Sequence, residues 1–158
     1  MQKITPFLWF DANAEEAAEF YVSIFEDARI DQVSRCGEAG PGPVGSALVV
    51  EFTLFGQRFR ALNAGPLYKF NEAVSFQVDC ETQEEVDRYW STLTEGGQEV
   101  ACGWLKDKFG LSWQITPTIL GEYLGGPDLE GAGRAMKAMM GMVKLDIAAL
   151  RRAYDGGS

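Results

Sequence analysis

Few side chains of this sequence could do chemistry. It contains no histidine, so proton transfer would fall to carboxylates and metal ligation to oxygen or thiolate. The one nucleophile in a motif-like setting is Cys102, in CGWLKDKFGLSWQITPT, residues 102–118. A reactive thiol needs a base or a cation beside it, and only Lys106 or Lys108 stands close in sequence. Without that help Cys102 is a small half-buried thiol at a strand turn, the reading its neighbours favour. Glu51 would act as a general base if desolvated, but Arg58 and Arg60 on the adjacent predicted strand are placed to pair with it. Arg60, Gln77 and Gln114 are suited to orient polar groups of a ligand. Trp104 offers a ring for a planar one, though packing is the commoner use of such a residue. Cys36, Cys80 and Cys102 are odd in number and form no CxxC pair, which argues for reduced thiols and against a disulfide framework or a metal knuckle.

The elements that position these residues form a repeat. PFLWFDANAEEAAEFY (6–21) and SFQVDCETQEEVDRYW (75–90) align with Phe7 on Phe76, Glu15 on Glu84 and Phe20 on Tyr89, a common offset of 69. FGQRFRAL from Phe55 and FGLSWQIT from Phe109 align at an offset of 54. The shorter offset is absorbed by a Gly/Pro-rich loop, CGEAGPGPVGS, residues 36–46. Each copy reads strand, helix, strands. In the first, strands are predicted over 4–10, 28–35, 46–54 and 57–63. Its helix is capped by Asn13 and carries Ala14, Ala17, Ala18, Tyr21 and Phe25 on one face. In the second, the first strand covers 73–79. Thr82 and Glu85 form a capping box, Val86, Tyr89, Trp90 and Leu93 are the buried face, and short strands lie near 98–102, 103–107 and 111–116.

Alternation divides the strand residues into two faces. Phe7, Trp9, Phe59, Ala61, Val74, Phe76, Val78, Leu111, Trp113 and Ile115 are expected under the helices. Leu8, Phe10, Glu51, Arg58, Arg60, Ser75, Gln77, Ser112, Gln114 and Thr116 are expected on an open, mixed face available to a ligand. Beyond it, 117–124 predicts a short helix. Met136, Met139, Met140 and Val143 make an apolar stripe for either the core or a subunit contact, and Asp146 caps a last helix with Ile147 and Leu150.

The 158 residues carry a net charge of −9. That field disfavours nucleic acid and anionic membrane surfaces as partners. No apolar run approaches the ~20 residues of a membrane span, and MQKITPFLWF lacks the features of a signal peptide. The expectation is a single cytoplasmic domain over 1–158: module one at 2–66, module two at 72–118 and a C-terminal helical extension at 119–155.

Two βαβββ copies, the FDANAEEAAEFY start and CGWLKDKFGLSWQITPT together resemble the vicinal oxygen chelate superfamily of glyoxalase I, extradiol dioxygenases and bleomycin-resistance proteins. Within it the chain is similar to the PhnB-like branch, whose members carry the name 3-demethylubiquinone-9 3-methyltransferase. The resemblance implies an α+β fold in which two paired βαβββ modules form curved mixed sheets around a cavity, and it implies a homodimer. It also implies four metal-ligand slots, which fall near Ile4 and Ala73 on the first strands and at Arg60 and Gln114 on the last. Isoleucine and alanine have no donor atom, and guanidinium cannot coordinate. Only Gln114 could, with Glu51 approaching from a neighbouring strand, so no metal and no cofactor are expected and metal-dependent chemistry is disfavoured. The methyltransferase name is disfavoured too, because the sequence has no Gly-rich strand-to-helix loop. What remains is a metal-free protein that binds, and on one reading converts, a small polar or anionic organic molecule. Leu8, Phe10 and Trp104 would be its walls, and Glu51, Arg60, Gln77 and Gln114 its polar anchors. The alternative is a non-catalytic dimeric binding or sequestration protein.

Overall fold

Strand starts and stops follow the local chemistry closely. In the computed structural model, which describes residues 1–157, the chain forms two compact units, Met1–Phe70 and Asn71 onward. The first contains β1 (Phe7–Phe10), α1 (Ala14–Ile24), β2 (Ala28–Arg35), β3 (Ala47–Leu54) and β4 (Gln57–Asn63). The second contains β5 (Ser75–Cys80), α2 (Gln83–Thr94), β6 (Gln98–Glu99), β7 (Trp104–Lys106) and β8 (Ser112–Pro117). It also holds the extension: α3 (Thr118–Gly125), α4 (Leu129–Met140) and α5 (Ile147–Tyr154). The fold is α+β, and none of its described helices is long and apolar enough to cross a membrane.

Both units use one topology. The strand orders are β1-β4-β3-β2 and β5-β8-β7-β6, each with its first strand parallel to its last and the rest antiparallel. The internal repeat is therefore a repeat of structure. Its two Phe-Gly turns differ, however. Phe55-Gly56 is a two-residue hairpin with both residues at positive φ, 49° and 77°, the geometry of a type I′ turn. Phe109-Gly110 belongs to a longer loop in which only Gly110 is left-handed, at φ 88°.

The predicted first strand, 4–10, starts only at Phe7. Pro6 has no N–H to pair, and the Gln2 side chain anchors the preceding residues by bonds to Arg58 O and from Arg58 N, at 3.0 and 3.1 Å. Ile4 is left 87% exposed.

The face assignment of β1 needs correction. Leu8 pairs with Ala61 and Phe7 with Arg60, so Leu8 and Phe10 share the helix-covered face with Phe59 and Ala61. They are 6% and 4% exposed, whereas Phe7 is 51% exposed. In the second unit most of the expected faces stand: Phe76 pairs with Trp113 and Val78 with Ile115 under α2, while Gln77 pairs with Gln114 on the other side. Val74, however, expected under the helices, lies before β5 and is 65% exposed, and Ser112, expected on the open face, is buried. The error has a physical origin. Three residues (Asp11, Ala12, Asn13) join β1 to α1, but two (Glu81, Thr82) join β5 to α2. An alignment anchored on the helices is thus one residue out in the strands, and one residue flips every side chain to the opposite face.

The helices pack as their periodicity dictates. Ala14, Ala17, Ala18 and Tyr21 of α1 are buried, with Tyr21 stacked on Phe52 at 6.1 Å; an aromatic side chain buried this way contributes on the order of 2–3 kcal/mol. Asn13 occupies the N-cap of α1 without a side-chain bond. Asn63, at the end of β4, takes over: its Oδ1 accepts from Ala14 N at 2.8 Å. In α2 the box forms in a shifted version, with the return bond one residue before the cap. Thr82 Oγ1 accepts from Glu85 N at 3.2 Å, and the Glu85 carboxylate reaches back to Glu81 N at 3.1 Å.

The extension has its own core of Leu120, Leu145 and Leu150, with Leu124, Met139 and Met142 packed against it. Asp146 caps α5 as expected, accepting from Ala149 N. The methionine stripe divides. Met139 turns into this core, Met136 and Met140 remain exposed, and Val143 lies beyond the end of α4.

Candidate functional site

In the first unit, Glu51 and Arg60 are direct cross-strand partners. They form an ion pair, Arg60 Nη2 to Glu51 Oε1, of 2.8 Å on the open face of the sheet. Each therefore satisfies the other. Leu8 and Phe10, expected as cavity walls, lie instead in the core on the opposite face, where Phe10 meets Phe70 edge-on at 5.2 Å.

The remaining candidates converge in the second unit. Gln77, Cys102, Trp104 and Gln114 line one pocket of about 330 Å³, within the range of small-molecule sites. Its floor is the open face of the sheet. Gln77, Gln114 and Trp104 stand in one row across β5, β8 and β7, with Asp79 and Thr116 in the next row. Gln114 Nε2 donates to Ser75 Oγ at 2.9 Å, which leaves its carbonyl oxygen as an acceptor. Gln77 Nε2 donates to Asp79 Oδ1 at 2.8 Å. Opposite the floor, Leu120, Leu124, Met139 and Leu145 from the extension supply an apolar wall.

Two sets of bonds hold the extension in place. Cys102 N and Gly103 N donate to Met142 O and Val143 O, both at 2.8 Å. Gln83 of α2 spans the joint before α5, donating to Leu145 O at 3.1 Å and accepting from Ile147 N at 2.8 Å. Cys102-Gly103 is itself a type I′ turn, at φ 61° and 82°, closed by Trp104 N to Ala101 O at 3.1 Å. A left-handed cysteine costs roughly 1–2 kcal/mol, which its bond to the extension helps to offset. A Cβ on Gly103 would meet Leu145 Cδ1 at 2.9 Å and Ile115 O at 3.0 Å, so the close approach of the extension requires glycine there.

Sequence reading missed three features. One is Asp107, 3% exposed, whose carboxylate accepts from Phe109 N, Leu111 N and the Trp113 indole at 2.8, 3.1 and 2.9 Å. An Asp just before a Phe-Gly turn was the available signal. Another is the apolar wall, because helical periodicity shows that a face is apolar without showing what it covers. Asp79, which also lines the pocket, was likewise passed over, although it lies two residues after Gln77 on one strand face.

The metal slots fail on position as well as on chemistry. Ile4 and Ala73 lie outside β1 and β5, and both are exposed. The residues in register with Arg60 and Gln114 are Phe7 and Gln77. A guanidinium and a phenyl ring offer no ligand in the first unit, and two amides offer only weak oxygens in the second. Among the described residues no group of three or more His, Cys, Asp or Glu is placed to hold an ion. The residues present do not fit the divalent ion that the resemblance implies.

Cys80, at the end of β5, is fully buried. Its thiol is pushed up to about 12, first by desolvation and then by the carboxylates of Glu85 and Asp79. It is an inert core thiol.

Residues 2–116 match the model of the family described as 3-demethylubiquinone-9 3-methyltransferase. Among solved structures, a Bacillus cereus PhnB protein described by the same activity is 40% identical, covering 74% of this chain and 100% of its own, with a TM-score of 0.69. A Pseudomonas aeruginosa protein is 20% identical over 74% of this chain and 98% of its own, with a TM-score of 0.61. The fosfomycin resistance protein FosX of Mesorhizobium loti shares the fold at 15% identity, covering 80% of this chain and 100% of its own, with a TM-score of 0.56. No curated protein matches the chain.

Proposed function

This chain belongs to the family described as 3-demethylubiquinone-9 3-methyltransferase, a PhnB-like branch of the vicinal oxygen chelate fold, and we propose that it binds a small polar organic molecule without a metal, in the pocket of its second unit. One observation carries this reading: Gln77, Trp104 and Gln114, chosen on sequence grounds as ligand-binding residues, all line the same cavity of about 330 Å³. A few polar anchors against oily walls is the usual composition of such sites.

Binding is favoured over conversion. Thiolate catalysis at Cys102 needs a neighbour that favours the thiolate; no lysine or arginine lines the pocket, and its one carboxylate, Asp79, disfavours a thiolate by like charge. Glu51 is engaged by Arg60 and so is poorly placed to act as a base. Methyl transfer finds no support either, since the strand-to-helix turns after β1 and β5 contain no glycine to admit a nucleoside-bearing donor. We also read the protein as a cytoplasmic homodimer. The exposure of Met136, Met140 and Val143 supports the dimer, and sedimentation of Met140→Asp should show a monomer where the parent is dimeric.

The pocket is tested by a ligand-observed NMR screen of neutral, cationic and anionic metabolites. Hits should vanish with Trp104→Ala and with Gln114→Leu while both variants keep a cooperative thermal transition. Hits that persist in both variants would place binding elsewhere.

A further inference from the structure

The family match ends at residue 116, yet the wall facing the sheet comes from Leu120, Leu124, Met139 and Leu145. The extension therefore turns an open sheet face into a pocket, and the ligand must be read from this pocket's own chemistry. Its charge is one-sided. Asp79 is the only carboxylate among the lining residues, and no lysine or arginine lies there to neutralise it. The Gln77 amide occupies Asp79 Oδ1, and Oδ2 stays open to a donor from the ligand. Of the remaining polar groups, the Thr116 and Thr118 hydroxyls accept as readily as they donate, and the Gln114 carbonyl oxygen only accepts. The chain's net charge of −9 also raises the local concentration of cations and lowers that of anions.

Resting on the pocket reading above, we infer that the site takes an organic cation: an amine whose charged end meets Asp79 and whose apolar body lies along Trp104 and the leucine–methionine wall. Asp79 is on β5 and Trp104 on β7, with β8 between them. Two inter-strand spacings are about 10 Å, which sets the span of the ligand. This replaces the anionic ligand that Arg60 would have favoured, since Arg60 is paired with Glu51 and belongs to the other unit.

The experiment uses three probes with one alkyl chain and different heads: hexylammonium, 1-hexanol and hexanoate. Each is titrated into the full-length protein and followed by NMR at Trp104 and Gln114. Hexylammonium should bind about fivefold tighter than hexanol, the value of one solvent-exposed ion pair at ~4 Å, and hexanoate should bind more weakly than hexanol. Asp79→Asn, at an exposed position, should make the amine and the alcohol equal. Glu84→Gln changes the charge equally in α2, on the opposite face of the sheet, and should leave the preference intact. Hexanoate binding as tightly as hexylammonium overturns the cation assignment and leaves the pocket reading standing. A preference that survives Asp79→Asn overturns it as well, attributing selectivity to the diffuse negative charge. If none of the three probes perturbs Trp104 or Gln114, the cation assignment and the pocket reading both fall.

Discussion

On the open face of the first sheet, Glu51 and Arg60 meet across β3 and β4 and close into an ion pair. On the open face of the second, Gln77 and Gln114 meet across β5 and β8, each keeping hydrogen-bonding capacity for something else. Beneath both faces the plan is the same: aromatic and aliphatic residues of the strands packed under one helix. The two units share what folds them and differ where folding imposes least. The first satisfies its polar pair internally. The second has amide groups there and a helical wall opposite them.

That contrast can be broken most severely at Asp107. It accepts three hydrogen bonds inside the second unit, where the first has only a two-residue turn. Asp107→Ala should cost about 3 kcal/mol or more in urea unfolding, because buried donors are left unpaired; a loss below ~1 kcal/mol would mean the loop closes without it. Next come two left-handed turn glycines, one from each unit. Gly103→Ala combines left-handed strain with a clash against Leu145 and Ile115 O and should cost about 2–3 kcal/mol. Gly56→Ala, with open space around its new Cβ, should cost only about 1 kcal/mol. Equal thermal shifts for the two would remove the special role of the Gly103 turn.

A smaller effect separates the ends of the two first strands, Phe10 and Cys80. The native Cys80 thiol titrates near 12 against an ordinary 9.0, so the unfolded chain loses its proton first as pH rises. The contribution is complete below pH 9.0 and declines as pH rises toward 12, by roughly 1 kcal/mol between pH 8 and 10. Cys80→Ala should flatten that alkaline limb. Smallest of all, Arg60→Ala removes an ion pair whose side chains are 46% and 31% exposed and should change stability by no more than about 0.5 kcal/mol. A larger loss in double-mutant cycles with Glu51→Gln would show the first sheet's face to be structural after all.

Much of the fold was legible because the relevant signals are local. Strands 28–35 and 57–63 end where predicted, bounded by turn residues, and Thr82 and Asp146 cap the helices they precede. The face of β1 was not legible. Leu8 and Phe7 are both apolar, so alternation has no contrast to read, and only pairing with Ala61 and Arg60 decides between them. The candidate site was half legible for a similar reason. Gln77, Trp104 and Gln114 declare themselves as unusual residues on strands, whereas Leu124 and Met139 look like any buried helical residues until the sheet they cover is known.

Asn63 has a consequence in time. The cap of α1 is a side chain 49 residues downstream, while that of α2 is its own neighbour Thr82. When the complete chain refolds, α2 can close its first turn with a neighbouring residue, but α1 must wait for β4 to reach it. Short helices are marginal until something holds their ends. Pulse-labelling hydrogen exchange should therefore protect the amides of α2 before those of α1, making the later half of the chain the first to settle.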